Sequence, residues 1–438
     1  MSWLDFFQTT QSTCHIHFGR GINANISPDE EELFNNSYEA FENKNILDAY
    51  EYFFKSLINY TDSSPNNNIT LQREDDTLQF CIYQGSAKII GTIDEKTLKA
   101  ESTMIKNEDA SVALKRYILE RNYQLTYSNY YSDKHHIKLK LYLDNITLSP
   151  QKIFFPLREL ALNADFDKEH IKSEFVKAKL QDIDHLTPIN DKELNIKYKA
   201  LHKWIDESQE KVLTLPSNDN AGMQAFLYLN LLFKIDYLLV PKYNIYHKLS
   251  KKVQDYFSDE NPTIESKNEE LKRYALTLRE MSFEDFSSNF YTAKYTFNPT
   301  EKSSFDEIVK FINESILKIK WYKNNRYSQI IPVIYKYMAF YILYNYGLNS
   351  AQKDIIHTLV EVQNSSYFNE LGCSNLYDED KKVFAKKEII SKLQDIADTH
   401  RGRYKNLYIE TENLNFNSLN EFSYSFYNIL KDLDFEEM

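Results

Sequence analysis

The spacing of apolar residues changes twice along this chain, and that change limits its fold more than any other feature. Between Leu33 and Leu57 the apolar side chains (Leu33, Tyr38, Phe41, then Ile46, Ala49, Tyr50, Phe53, Leu57) recur at three and four, the period of an amphipathic helix. After the polar stretch SSPNNN the period drops to two, through Ile69 and Leu71, then Leu78, Phe80 and Ile82, then Ala87 and Ile89, followed by Leu98 and Met104. From about Asn190 to the end it returns to three and four, with no sustained alternation. A chain patterned this way is neither all-helical nor all-sheet. It predicts an α+β protein: a helical hairpin, an antiparallel-sheet module, then an all-helical carboxy-terminal domain.

The punctuation agrees. The two helices of the hairpin break near Asn43 to Asn45. Turns fall at REDD (Arg73), QGS (Gln84) and DEKT (Asp94), all rich in turn-forming residues. A helix follows in DASVALKRYILERNYQL, with Asp109 or Ser111 as its cap. Two more strands come next, the second placing Ile137, Leu139, Leu141 and Leu143 on one side and Lys138, Lys140 and Tyr142 on the other. The stretch after Pro150 reads as a long helix kinked or restarted at Pro156. The predicted divisions are a 1–27 segment, a 28–185 module and a 186–438 helical domain. Within the last, Asn190 or Asp191 with Glu193, Ser304 with Glu307, and Asn349 or Ser350 are start signals, and Gly347 is a stop.

The order from Ser37 to about Lys179 is helix, three or four strands, helix, two strands, helix. With ALKRYILERNYQLTYSNYYSDKHHIKLKLYLDNITLSPQKIFFPLRELALNADF as its second half, it resembles the class I type III secretion chaperone fold and the related YbjN-like proteins. The resemblance covers roughly a third of the chain and rests on element order, with no catalytic motif behind it. It implies a module that binds segments of other proteins across its sheet and helix surfaces, often as a homodimer.

Charge narrows the partners. Lys and Arg number 52 against 64 Asp and Glu, a net charge of −12, which repels a phosphate backbone, so no nucleic-acid partner is expected. Two apolar runs, from Ala221 and from Ile330, approach the length of a membrane span. Lys234 and Asp236 interrupt the first, Lys336 and Asn345 the second, so both read as buried core helices and no membrane partner is expected. The amino terminus has no basic start and no long apolar stretch, unlike a signal peptide. Cys14, Cys81 and Cys373 are odd in number and far apart, which argues against a disulfide framework and suits a reducing cytoplasm.

Eight glycines in 438 residues leave little room for phosphate-cradling loops, and no GxxxxGK[ST], GxGxxG, GxSxG, HExxH or DFG motif occurs. Cys14, His15 and His17 could offer a metal two ligands, which do not make a site, and His135 with His136 reads as a strand head. The triplets Asp165-Phe166-Asp167, Asp182-Ile183-Asp184 and Asp432-Leu433-Asp434 imitate a metal-holding DxD, yet in so acidic a chain they read as solvated faces. KIKWYKNNRYSQ, from Lys318 to Gln329, and HRGRYK at His400 read as basic helix ends. No catalytic, cofactor-binding or metal residue is assigned and no cofactor is expected. The function expected is that of a non-enzymatic adaptor or chaperone-like protein holding a segment of another protein, possible as a homodimer. A structural subunit or an enzyme without a recognisable motif are the alternatives.

Overall fold

The computed structural model describes residues 16–19, 28–58, 68–145, 148–175, 177–216, 220–258, 260–293, 297, 303–373 and 375–437. Helices α1 (Pro28–Glu42) and α2 (Ile46–Ser56) form the expected hairpin. Its break is made by Lys44, whose φ of 61° is left-handed, with the Asn45 N–H on the Ala40 carbonyl. Strands β1 (Ile69–Glu74), β2 (Thr77–Gln84), β3 (Ala87–Ile93) and β4 (Thr97–Lys106) follow, then α3 (Val112–Asn122), β5 (Ser128–Ser132), β6 (His136–Asp144) and α4 (Pro150–Glu174). The six strands make one antiparallel sheet in the order β1-β2-β3-β4-β6-β5. The hairpin turns fall at the expected places, and a left-handed Asp75 (φ 42°) does at one what Gly85 (φ 50°) does at the next.

One face of the sheet is the core of this module. Leu78, Phe80 and Ile82 of β2, Ile89 and Ile93 of β3, Leu98 and Ala100 of β4, Tyr130 of β5, and Leu139 and Leu141 of β6 are buried against α1 to α4. Gly91 sits among them because a Cβ there would lie 2.1 Å from the Phe80 ring. The proline at 156 does not restart the helix: α4 runs unbroken for 25 residues, with Pro156 in its second turn, buried against the core. Leu157, Leu160, Ala161, Ala164 and Ile171 hold it there, so packing outweighs the lost backbone bond.

The rest of the chain is β7 (Leu186–Thr187), α5 (Asp191–Leu213), α6 (Ala221–Lys234), α7 (Tyr243–Ser258), α8 (Ile264–Arg279), α9 (Phe283–Ser287), β8 (Thr292–Ala293), α10 (Phe305–Asn324), α11 (Ile331–Asn345), α12 (Ser350–Gln363), α13 (Ser365–Glu370), β9 (Tyr377–Asp378), β10 (Val383–Phe384), α14 (Lys386–His400) and α15 (Leu419–Lys431). It is helical apart from the two-residue strand pairs β7–β8 and β9–β10, a small departure from the all-helical expectation. Asn190 and Asn349 cap as expected, the latter in a reciprocal box with Gln352, whereas the Ser304 side chain makes no cap bond. The two apolar runs become α6 and α11, which pack together at the centre of a second core reaching from Leu194 to Leu433. Among the described residues no helix is long and apolar enough to cross a membrane.

Contacts beyond the covalent chain join the helical half, whose own β7 and β8 pair with each other, to the segments before it. Phe297 leaves the helical half to pack in the sheet core, its N–H on the Tyr83 carbonyl. At the other end, Gly19 N–H bonds the Tyr237 carbonyl while the Phe18 ring rests on His357 and Phe368. The cysteine reading needs correction. Cys81 is a free thiol, but Cys373 is disulfide-bonded. A disulfide is rare in a reducing compartment, so cysteine usage no longer supports placing the protein in the cytoplasm.

Candidate binding face of the sheet

Because α1 to α4 all pack on one side, the alternation of the strands turns every second residue of the sheet the other way. The outward set is Gln79, Cys81 and Tyr83 on β2, Lys88, Ile90 and Thr92 on β3, Lys99, Glu101 and Thr103 on β4, Asn129 and Tyr131 on β5, and Lys138, Lys140 and Tyr142 on β6. Register aligns them in rows: Cys81, Ile90, Glu101, Lys140 and Asn129 cross five strands side by side, and Thr92, Lys99 and Tyr142 form the next row. Ile90 is 50% exposed and Tyr142 57%, both large apolar bodies presented to solvent in mid-sheet.

Over the outward face of a chain whose net charge is −12, Lys88, Lys99, Lys138 and Lys140 stand against Glu101 at the centre, with Glu74 and Asp144 at strand ends. Glu101 is spoken for, since Lys138 Nζ (2.6 Å) and the Tyr131 hydroxyl (2.6 Å) both donate to it. Lys140 Nζ lies 4.6 Å from the Tyr131 ring. Among the described residues, Lys88 and Lys99 form no ion pair. The result is a small positive field on an acidic molecule. Of its three tyrosines only Tyr142 shows a free ring, because Tyr131 is tied to Glu101 and Lys140 while Tyr83 lies against His185.

Behind this face α4 anchors the sheet with carboxylates. Glu159 accepts the N–H groups of Thr126, Tyr127 and Ser128 at 2.8–2.9 Å, which fixes the entry to β5. Burial opposes its charge, and these bonds together with the Ser128 hydroxyl hold it below the usual carboxylate range. Asp165 accepts the Ser86 N–H (2.6 Å) and hydroxyl (2.8 Å) at the β2–β3 turn. Asp167 has no exposed surface; it accepts from the Tyr117 and Tyr130 hydroxyls (2.6 Å each) and from Arg121 Nε (2.8 Å). Burial, and then the Asp167 charge, push the Tyr130 hydroxyl far above its ordinary pKa. Lys168 donates to the Gln181 carbonyl (2.7 Å), and burial lowers its pKa to about 8. Glu169 reaches the helical half, accepting from the Tyr291 hydroxyl (2.6 Å) and the Tyr243 N–H (3.2 Å).

The reading of Asp165-Phe166-Asp167 as a solvated face is therefore wrong, because burial of α4 turns these acids into anchors. Asp184, Asp432 and Asp434 are exposed, and Asp182 is half-buried in the linker. His17 is exposed, and Cys14 and His15 lie outside the described residues. Both His135 and His136 sit at the head of β6, where their N–H groups go to Asp133. Lys318, Lys320, Trp321 and Lys323 are exposed around the end of α10, far from the sheet in sequence and not part of its face. The structure brings none of these into one constellation, and among the described residues no group of three or more His, Cys, Asp or Glu is placed to hold a metal ion. Sequence reading found the outward side of β6. It missed α7 and Glu169, although Ile245, Leu249 and Val253 at spacing four signalled the helix. No family model matches the chain, and no curated protein matches it in sequence.

Proposed function

We propose that this protein is a non-enzymatic adaptor whose chaperone-like module holds an acidic segment of another protein on the outward face of its sheet. The observation that carries this reading is the open, lysine-rich centre of that face on a chain of opposite net charge. An acidic segment finds Lys88, Lys99 and Lys140 for its carboxylates and Ile90 and Tyr142 for its apolar side chains. A nucleic acid fits less well, since single strands bind by stacking on successive free rings and this face offers one. The resemblance of its helix and strand order to that of class I secretion chaperones and YbjN-like proteins supports the same role.

Fluorescence anisotropy with a labelled Glu/Val peptide, its Lys/Val counterpart and a mixed-sequence single-stranded oligonucleotide tests the reading. The acidic peptide should bind with a Kd of about 1 to 100 μM at low salt, and Lys99→Glu with Lys140→Glu should weaken it about tenfold or more. Equal binding of all three probes, or preference for the oligonucleotide, overturns it.

A further inference from the structure

We propose that Lys234 and Lys336 form the floor of an anion site in the helical half that holds a tetrahedral dianionic group, a phosphate or a sulfate. The site belongs to α5, α6 and α11 and not to the outward face of the sheet, so either reading can fail without the other.

Lys234 lacks what the other buried lysines among the described residues have. Lys168 donates to the Gln181 carbonyl at 2.7 Å, and Lys197 pairs with Glu193 at 2.9 Å. Lys234, 8% exposed at the end of α6, has its Nζ 4.0 Å from the centre of the buried Trp204 ring on α5, and among the described residues no oxygen accepts from it. The indole face attracts the charge but leaves its three donors without acceptors. A buried charge is ordinarily paired, so this one is short of an anion. The backbone is unusual at the same place. Lys234 leads directly into the π-helical turn Ile235–Leu239, which ends at a left-handed Val240 (φ 53°). Isolated π turns are rare and frequent at functional sites, and a left-handed valine is strained.

More positive charge gathers around it. Lys336 is half-buried on α11, which packs along α6, and is the charge that acts most on Lys234. On α5, Lys203, Glu207 and Lys211 stand four apart on the stripe beside Trp204, and Glu379 follows β9. These are the charges that face the two amines. Among the described residues none of the six forms an ion pair. Four lysines against two glutamates leave an excess of two positive charges, which one phosphate or sulfate dianion neutralises. Lysines suit such a group because each acts as a compact point charge with rotatable donors, free to meet oxygens set tetrahedrally. Burial, and then the Lys336 charge, hold the Lys234 amine well below its ordinary pKa. A dianion beside it favours the charged form, so binding draws a proton onto the site.

Isothermal titration calorimetry of the whole chain with sodium sulfate, sodium phosphate, glycerol phosphate and sodium acetate tests the site. Sulfate should bind with a Kd of about 1 mM or tighter at low salt, and acetate about tenfold more weakly. Glycerol phosphate binding at least as tightly as phosphate supports the site with a phosphate ester as its occupant, and weaker binding supports it with the free anion. Lys234→Met and Lys336→Met should each weaken sulfate about tenfold or more, and either serves if the other does not fold. Lys318→Met with Lys320→Met, on the exposed side of α10, should leave the affinity unchanged. Sulfate has no proton to titrate near neutral pH, so its heats in HEPES and in Tris at about pH 8 should differ by the proton taken up. No sulfate binding below about 10 mM, unchanged affinity in both lysine variants, acetate as tight as sulfate, or no proton uptake overturns the proposal.

Discussion

Asp167→Asn isolates the strongest anchor of the sheet module. The wild-type carboxylate is fully enclosed and takes three donors from α3 and β5: the hydroxyls of Tyr117 and Tyr130, and Arg121 Nε. The Arg121 side chain is only 12% exposed, with its other nitrogens on Gln124 and Asn163, so water cannot replace the lost charge. An amide offers one accepting oxygen, and its NH2 group would face a hydroxyl or a guanidinium that also donates. Leaving one partner of a buried ion pair alone costs about 3 to 5 kcal/mol, a large share of a typical folding stability of about 5 to 15 kcal/mol. Urea unfolding followed by circular dichroism should show a midpoint lower by about 1 M or more. Replacing both partners, as Asp167→Leu with Arg121→Met, should recover most of the loss, since an apolar pair of similar volume is often neutral or better. A cost below about 1 kcal/mol for Asp167→Asn, or a double variant worse than the sum of its parts, would refute the claim that this carboxylate is an anchor.

Two further outcomes follow from single positions. Lys234 is 8% exposed, its Nζ 4.0 Å from the Trp204 ring, and burial followed by the Lys336 charge lowers its pKa well below 10.5. The wild-type chain therefore carries a cost at pH 7 that fades as the pH approaches 10.5, so Lys234→Met should stabilise by about 1 kcal/mol or more at neutral pH, with the advantage shrinking by about pH 10 in thermal melts. No gain at pH 7 would mean that the aromatic contact offsets the burial. Gly91→Ala would bring a methyl group onto the Phe80 ring and should cost about 1 to 3 kcal/mol, with part of it recovered by Phe80→Leu in the same chain; an unperturbed melt would show that the ring has somewhere to go.

The strands were legible because a half-exposed sheet writes its two faces as alternate residues, and β2 and β6 do so in full: Leu78, Phe80, Ile82 against Gln79, Cys81, Tyr83, and Ile137, Leu139, Leu141 against Lys138, Lys140, Tyr142. The rows across the strands were not legible, since pairing β6 with β4 skips a helix and a strand in the sequence. The charged turn of α4 misled for a related reason. A local pattern shows acids two apart, and acids are ordinarily solvated. Their partners lie 46 to 50 residues away in α3 and 122 away at Tyr291, beyond any window. One clue was present: Lys168 stands four residues after Ala164 and three before Ile171, on the stripe that Leu157, Leu160 and Ala161 define as the core face.

That clue carries further than the fold. Three consecutive charged residues are buried on α4, and successive positions on a helix point about 100° apart, so each meets a different neighbour. Asp167 goes to α3 and β5, Lys168 to the linker carbonyl at Gln181, and Glu169 to Tyr291 and α7. One helical turn thus fixes the back of the sheet, the connection out of it and the helical half that follows. A surface that binds a partner by aligned rows of side chains needs its strands held in register and its backing kept rigid. Buried charges are a poor source of net stability compared with apolar packing, so three in a row on one turn are better explained by the orientation they impose. On that argument one turn of α4 ties together the back of the sheet, the linker and part of the helical half, while Asp167 and Glu159 hold α3 and β5 behind the outward face.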